Sequence, residues 1–231
     1  MPPHLLCRLA RQPSPWPRRF LRLAARSADA RVRLDGALPE GRVFQISNHV
    51  SWLDILALGG TTGSAFVAKD GIARWPLIGW LARQNGTLFI SRERRGSLSG
   101  QIDSLRAVLD GHQPVTLFPE GTTGDGVALL PFKPALLAVL LPPMPGMSIQ
   151  PIHIDYGAAT RDIAWHDDEP ALANVMRVLG RKGALDIVIH LLEPIDPAAC
   201  ADRKMLAAMA RHRIAASIAQ QAPSARPPAA V

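Results

Sequence analysis

Short apolar segments alternate with longer stretches of helical periodicity along most of this chain, and this alternation restricts its fold more than any other feature. Strands are predicted over residues 32–34, 43–46, 65–68, 87–90, 115–118, 149–154 and 186–192. Helices are predicted over residues 52–58, 76–83, 97–110, 135–140 and 204–220. This order is typical of an α/β fold, a single layered domain whose mixed, largely parallel central sheet is flanked by helices.

The first 33 residues carry an unusual share of the positive charge. They contain eight arginines and one acid, Asp29, in a chain whose formal net charge is +7. Such a segment suits a polyanion, either nucleic acid or an anionic lipid surface. Aromatic residues make up only 5% of the chain, and it contains no recognisable nucleic-acid-binding motif. We therefore expect an anionic membrane surface, and no nucleic acid, as the partner.

Within this segment, residues 16–27 have the pattern of a basic amphipathic helix. Trp16, Phe20 and Leu23 recur at helical spacing, and arginines recur on another face. Such a helix can lie in a lipid interface, or it can pack on the domain with its arginines in water. The sequence leaves both alternatives open.

The domain boundaries and the location follow from composition. Residues 1–33 are predicted to be a membrane-association segment, residues 34–220 the main domain, and residues 221–231 a disordered tail. No apolar run is long enough for a transmembrane helix, so we expect a peripheral protein on the cytoplasmic side of a membrane. Cys7 and Cys200 lie too far apart for a metal-ligand motif, and no metal is expected.

The first candidate catalytic segment is Asn48 to Asp54. His49 follows a predicted strand, and Asp54 lies at the beginning of the next predicted helix. An aspartate bonded to one imidazole nitrogen would leave the other free to take a proton from an alcohol. The alternative is a structural cluster in which Asn48 or Ser51 caps the helix and Asp54 interacts with the helix dipole.

The second segment follows the strand predicted at 115–118 and is rich in glycine and hydroxyl groups. Its candidate substrate-binding residues are Phe118, Pro119, Glu120, Gly121, Thr122 and Thr123. Glu120 would repel a phosphate, so it is better suited to accept a hydrogen bond from a substrate hydroxyl or to pair with an arginine. The alternative is an ordinary polar loop. Two cations complete the set: Arg92, at the end of a predicted strand, and Lys133, which follows Phe132.

In this order the segments resemble the motifs of the 1-acylglycerol-3-phosphate acyltransferase family. Asn48, His49 and Asp54 match its first block, Asn-His followed by four residues and Asp. The other matches are Gly86, Phe89, Ile90 and Arg92, then Phe118 to Thr122, then Phe132 and Lys133, and finally residues 149–152. The resemblance covers about residues 40–195 and implies a mixed αβ sheet domain.

The resemblance also implies a reaction. His49, oriented by Asp54, would deprotonate the hydroxyl of a lysolipid acceptor, which attacks the thioester carbonyl of acyl-CoA or acyl carrier protein. No cofactor is implied, and no acyl-enzyme is needed, so Ser51 need not be a nucleophile. Arg92, Glu120 and Gly121 would hold the acceptor head group, and backbone N–H groups near residues 119–122 would stabilise the oxyanion.

One position departs from the family pattern. Thr123 stands where the family has an arginine after Gly-Thr, which removes a cation expected to pair with the acceptor phosphate. The variant motif is similar to that of acyltransferases that complete ornithine lipids in bacteria. The resemblance favours 1-acylglycerol-3-phosphate as the acceptor, with lyso-ornithine lipid as the alternative. A non-catalytic lipid-binding protein is the rival hypothesis from another class.

Overall fold

A seven-stranded sheet forms the centre of the molecule. The structure is a computed structural model that describes His4, Cys7 and residues 14–90, 98–111, 113–166 and 168–221, with the side chains of 98 and 99 left out. The strand order is β1-β7-β6-β2-β5-β3-β4. The strands are β1 Ala30–Asp35, β2 Arg42–Ser47, β3 Ala65–Lys69, β4 Leu88–Ile90, β5 Val115–Leu117, β6 Met147–Asp155 and β7 Leu185–Leu191. All seven strands agree with the predictions, with shifts of a few residues at the ends.

The sheet is mixed but largely parallel, as predicted. Strands β6, β2, β5, β3 and β4 run in one direction, because each neighbouring pair among them is parallel. β7 pairs antiparallel with β6 and parallel with β1, so β1 and β7 run the other way. The carboxyl ends of five strands therefore meet at one edge of the sheet, where sites in such sheets form.

Helices cover both faces of this sheet. They are α1 Trp16–Ser27, α2 Leu53–Thr62, α3 Asp70–Ala73, α4 Pro76–Gln84, α5 Leu98–Leu109, α6 Thr160–Ile163, α7 Ala171–Leu179 and α8 Arg203–Gln221. One core lies between the sheet and α5 and α8, with Phe44 and Leu105 fully buried. A second core lies between the sheet and α2, with Leu58 and Ile152 fully buried.

Several helical segments differ from the sequence prediction. The segment predicted as an α-helix at 135–140 is a 3₁₀ helix, Pro134–Leu140, which ends just before Pro142 and Pro143. The short helices α3 and α6 and the 3₁₀ helices Gly157–Ala159 and Pro197–Ala199 were not predicted, and neither was α7. Its buried positions include Asn174, whereas Leu172 and Met176 are 74% and 64% exposed, so its apolar pattern does not mark its packing face.

The N-terminal helix α1 packs on α2, but not through the apolar row that predicted it. Leu21 and Ala25 are its buried residues. Gly60 of α2 lets the backbone of α1 approach closely, because it has no side chain. A Cβ at this position would lie only 2.8 Å from the Arg22 backbone nitrogen. Trp16, Phe20 and Leu23 point outward and are 39%, 43% and 63% exposed. One face of α1 therefore packs on the domain, and contact of the exposed apolar row with lipid stays a prediction.

The boundaries at residues 33 and 221 stay predictions. β1 begins at Ala30 and lies in the sheet, so part of the predicted N-terminal segment packs with the main domain. Residues 222–231 lie outside the described residues. Among the described helices, none has the length and hydropathy to cross a bilayer.

A buried histidine should make the stability of this fold depend on pH. His153 lies on β6 with Nδ1 2.9 Å from Ser217 Oγ, and its ring stacks on His190. Burial lowers the pKa of His153 from 6.5 to about 4, although Asp155 acts in the opposite direction. Between these two values the unfolded chain binds a proton that the folded protein does not, so stability falls as the pH falls through this window.

We expect His153 to contribute a loss of about 3 kcal/mol in the free energy of unfolding between pH 7 and pH 4. Substitution His153→Gln should lessen this loss, because glutamine does not titrate. Urea unfolding of both proteins at the two pH values measures the difference. An equal loss in both proteins would show that His153 does not cause it.

Candidate active site

The polar residues of the candidate site lie at one edge of the sheet, where parallel strands end. His49 is two residues beyond β2, Phe118 directly follows β5, and Tyr156 directly follows β6. β2 lies between β5 and β6 in the sheet, so these residues are neighbours. Asp54 comes from the first turn of α2. The structure thus brings together residues that are far apart in sequence.

His49 and Asp54 form a hydrogen-bonded pair. His49 Nδ1 lies 2.7 Å from Asp54 Oδ2. Because a carboxylate only accepts hydrogen bonds, Nδ1 carries the hydrogen and Nε2 has the free lone pair. The same oxygen, Oδ2, accepts hydrogen bonds from the N–H groups of Val50 at 2.7 Å and Ser51 at 3.0 Å. Asp54 therefore orients the imidazole and also satisfies the backbone of the turn before α2.

A tyrosine that the sequence analysis missed holds the other oxygen of Asp54. The Tyr156 hydroxyl donates to Asp54 Oδ1 at 2.5 Å, and both residues are buried. Burial, followed by the charge of Asp54, raises the pKa of Tyr156 well above 10, so the hydroxyl stays a donor. Tyr156 is the only tyrosine in the chain and comes directly after a strand, which was the one available signal.

The imidazole of His49 lies against an aromatic ring and reaches the surface. Its ring stacks on Phe118 with centroids 4.1 Å apart and an angle of 16° between the planes. Phe118 in turn stacks on Phe66 of β3 at 6.0 Å. The His49 side chain remains 19% exposed, whereas Asp54 is fully buried. The arrangement can therefore present Nε2 to a bound hydroxyl while Nδ1 stays hydrogen-bonded to the buried Asp54 carboxylate.

Glu120 braces the backbone of the site. Its Oε1 accepts a hydrogen bond from the His49 N–H, and its Oε2 accepts one from the Leu130 N–H, each at 2.8 Å. The residue is 3% exposed. Burial raises the pKa of Glu120, although the two N–H groups lower it. Each carboxylate oxygen can accept a second hydrogen bond, so a contact with substrate stays a prediction.

The loop after Glu120 is held mainly by backbone contacts. The Gly121 N–H donates to the Phe118 carbonyl at 3.0 Å, so this N–H is engaged within its own turn. The Thr123 hydroxyl donates to the Trp165 carbonyl at 2.6 Å. Thr122 is half-buried. The Lys133 N–H donates to the Pro119 carbonyl at 2.8 Å, and the residue is exposed beside the loop.

The remaining predictions have different outcomes. Arg92 lies outside the described residues, so its position relative to His49 stays a prediction. Ser51 is fully buried, and its Oγ lies 3.4 Å from the Leu53 N–H, which argues against a nucleophilic role. In the part of the chain that the structure describes, no three His, Cys, Asp or Glu side chains form a group that could hold a metal ion.

Asn48 is a clamp between strands and not a helix cap. Its Nδ2 donates to the Ile154 carbonyl at 3.0 Å, and its Oδ1 accepts from the Ile154 N–H at 2.8 Å. Both groups of the amide are thus paired with one residue of β6. Asn48 lies directly before His49, so these two hydrogen bonds attach the start of the His49 segment to β6, the strand that ends just before Tyr156. No local sequence pattern signals this contact, because the two residues are 106 positions apart.

Comparison with known sequences gives matches along most of the chain. A family profile described as "Acyltransferase" matches residues 29–155, more than half of the chain. The lyso-ornithine lipid O-acyltransferase of Rhodobacter capsulatus is 34% identical over 94% of this chain and 84% of its own length. That of Rhizobium meliloti is 36% identical over 93% and 79%. The 1-acyl-sn-glycerol-3-phosphate acyltransferase of Neisseria gonorrhoeae is 42% identical, but over 42% of this chain and 38% of its own.

Comparison with solved structures supports the fold. The crystal structure of the 1-acyl-sn-glycerophosphate (LPA) acyltransferase from Thermotoga maritima aligns with a TM-score of 0.64. The alignment covers 91% of this chain and 79% of that one, at 19% identity. This likeness shows a shared layered αβ architecture.

The Asn48 clamp can be tested by a substitution that keeps its shape. In Asn48→Asp, a carboxylate oxygen replaces Nδ2 and faces the Ile154 carbonyl, which leaves two buried acceptors without a donor. We expect the free energy of unfolding to fall by about 2–3 kcal/mol, measured by urea unfolding at pH 7.5. A loss of less than about 0.5 kcal/mol, typical of surface substitutions, would contradict the clamp.

Proposed function

Because this chain belongs to the acyltransferase family, we propose that it transfers a fatty acyl group from acyl-CoA or acyl carrier protein to the hydroxyl of a lyso-ornithine lipid. The enzyme is an O-acyltransferase of the lysolipid type. The observation that carries the proposal is the His49–Asp54–Tyr156 chain of hydrogen bonds at the exposed edge of the sheet. The choice of acceptor rests on Thr123 and on the relatives that match nearly the whole chain.

In the proposed reaction, His49 Nε2 takes the proton of the acceptor hydroxyl as its oxygen attacks the thioester carbonyl carbon. A C–O bond forms, and the resulting tetrahedral oxyanion collapses with cleavage of the C–S bond. The imidazolium then returns the proton to the departing thiolate, so atoms and charges balance. Asp54 stabilises the imidazolium through Nδ1, and Tyr156 keeps the carboxylate in place.

Thr123 supports an acceptor without a phosphomonoester. An arginine at this position would supply a forked cation for the phosphate. Thr123 instead donates its hydroxyl to the Trp165 carbonyl, which ties two loops together. The motifs alone favour the phosphate acceptor, whereas the length over which the lyso-ornithine enzymes match this chain supports the ornithine acceptor.

The second candidate acceptor is 1-acylglycerol-3-phosphate. It is favoured by the 42% identity to the Neisseria gonorrhoeae enzyme over 98 residues. In this alternative, Arg92 and Lys133 would supply the cations that Thr123 does not. The chemistry at His49 is the same for both acceptors, so only the head-group contacts distinguish them.

The proposed donor and acceptor imply work at a membrane, on its cytoplasmic side. Helix α1 supports an anionic lipid surface as partner, because it exposes Trp16, Phe20 and Leu23 next to arginines. Two of these arginines also make contacts within the protein, because the Arg18 and Arg22 guanidinium groups donate hydrogen bonds to carbonyls of α2. Arg26 is exposed and near the end of the helix, where it can meet lipid head groups.

Catalysis by His49 is tested by a matched pair of variants. His49→Ala removes the base and should lower the rate of acyl transfer by about 10²–10⁴-fold. Ser51→Ala, two residues away and buried, should keep the rate near that of the unchanged protein, because no acyl-serine forms. Product is measured by mass spectrometry. An inactive Ser51→Ala protein that folds normally would contradict direct transfer, and an active His49→Ala protein would contradict the base.

The acceptor is tested by competition between lyso-ornithine lipid and 1-acylglycerol-3-phosphate, with palmitoyl-CoA or palmitoyl carrier protein as donor. We expect ornithine lipid as the main product. Thr123→Arg should raise the share of phosphatidate about tenfold, because a guanidinium can pair with the phosphate. Thr123→Val, which loses the hydroxyl but adds no charge, is the control. Phosphatidate as the main product of the unchanged protein would favour the second candidate.

A further inference from the structure

The segment after β3 exposes an unusual amount of apolar surface. Five large side chains between residues 72 and 80 are 40–65% exposed. We call this group the apolar ridge, and its members are Ile72, Trp75, Leu77, Ile78 and Trp80. Soluble surfaces seldom expose so many large apolar residues together, and such patches mark contacts with proteins or membranes.

The packing of α4 explains why these residues point outward. Gly79 is the only buried residue of α4. A Cβ there would lie 2.5 Å from the Ala73 carbonyl oxygen, so α4 lies directly against the end of α3. The Arg83 guanidinium donates to the same carbonyl at 3.1 Å. With its small residue turned inward, α4 directs Leu77, Ile78 and Trp80 away from the core.

The apolar ridge lies at the edge of the sheet that carries His49. α3 begins at Asp70, directly after β3 ends at Lys69. β3 is parallel to β5, and β5 is parallel to β2, so their carboxyl ends share one edge. Two strand spacings separate the ends of β3 and β2, which is about 10 Å. The ridge therefore begins at the same edge of the sheet as the His49–Asp54 pair.

We propose that the apolar ridge inserts into the surface of an anionic membrane and holds the His49–Asp54 pair at the lipid interface, where the lysolipid hydroxyl lies. This inference rests on the proposed function for its substrate. It identifies a lipid contact on α3 and α4 in addition to that of helix α1, and it places that contact at the edge of the sheet that carries His49.

Composition and charge favour lipid as the occupant. Residues 71–84 contain two tryptophans, two arginines and no acid. Tryptophan is enriched where a protein meets the interface of a bilayer, and arginine pairs with anionic head groups. A second copy of the chain would place like charges from Arg74 and Arg83 opposite each other in a symmetric contact. Lipid head groups supply the opposite charge.

The test is co-sedimentation with vesicles of phosphatidylcholine, with and without phosphatidylglycerol. The purified unchanged protein should bind, and more strongly with phosphatidylglycerol. Trp75→Ser/Leu77→Ser should bind about tenfold or more weakly, because two apolar side chains no longer enter the interface. Its activity on lysolipid dispersed in detergent micelles should be retained. Unaltered vesicle binding by this variant overturns the proposal.

Two matched single variants control for a general loss of apolar surface. Ile78→Ser removes a side chain that is 47% exposed, and Met205→Ser removes one that is 43% exposed on α8, on the other face of the sheet. Only Ile78→Ser should weaken vesicle binding. An equal loss in both would overturn the proposal. So would a dimer of the unchanged protein that Ile78→Ser dissociates in sedimentation velocity, since the ridge would then be a protein interface.

A second measurement uses substitutions of tryptophan by phenylalanine. These keep the ridge apolar, so the variants are expected to fold like the unchanged protein. In vesicles with brominated acyl chains, tryptophans that enter the lipid lose fluorescence. Because Trp16 of α1 is also exposed, both proteins carry Trp16→Phe, and in that background Trp75→Phe/Trp80→Phe should lose much less fluorescence than its parent while binding the vesicles equally well. Equal fractional quenching in both proteins overturns insertion of the ridge.

Binding and catalysis fail independently in this design. The His49→Ala protein is expected to bind vesicles like the unchanged protein, although it does not transfer acyl groups. If no acyl transfer is found with any acceptor, the proposed function fails, and the vesicle results still decide the membrane contact. If the ridge variants bind normally and acyl transfer persists, only the ridge proposal fails.

Discussion

The carboxylate of Asp54 is the point on which the geometry of the site depends. It is fully buried, and a buried charge is costly unless donors surround it. Here two backbone N–H groups, the His49 imidazole and the Tyr156 hydroxyl all point at it. The donors come from the turn after β2 and from the end of β6, so the carboxylate joins separate parts of the fold. Moving any of these parts would leave the charge less well compensated and the imidazole less well oriented.

Two further side chains fix the backbone around that carboxylate. The Asn48 side chain, directly before His49, is hydrogen-bonded to the backbone of Ile154 in β6. The Glu120 carboxylate, in the loop after β5, accepts a hydrogen bond from the His49 N–H. The peptide segment that carries His49, the proposed base, is therefore tied to both strands beside β2. Preorganisation of this kind matters for catalysis because a base must meet its substrate within a fraction of an ångström. The polar residues that resemble a binding loop in the sequence thus also have a structural role.

The apolar segments were enough to predict every described strand, because most of these strands are largely buried, although β4 is half-buried and β1 alternates between buried and exposed positions. The His49–Asp54 pair was also predictable, since the two residues lie within one turn of chain. Tyr156 and the Ile154 contact of Asn48 were not, because their partners are 102 and 106 residues away. Helix α1 was predicted, but its packing face was not. That face depends on Gly60, whose lack of a side chain lets the backbone of α1 approach α2. The spacing of apolar residues, from which α1 was predicted, carries no information about such a close backbone contact.

The division of contacts within the site has a consequence for how such enzymes diversify. The base and its carboxylate are joined within six consecutive residues, whereas Thr123 belongs to another loop and contacts a third, at Trp165. In the proposed function, head-group recognition and proton transfer would thus belong to separate stretches of chain. If Thr123 selects the head group as proposed, substitutions in its loop would alter which polar lipid is accepted while the His49–Asp54 pair stays unchanged. Related enzymes with this arrangement could then evolve to acylate different lipids while keeping the same mechanism of ester formation.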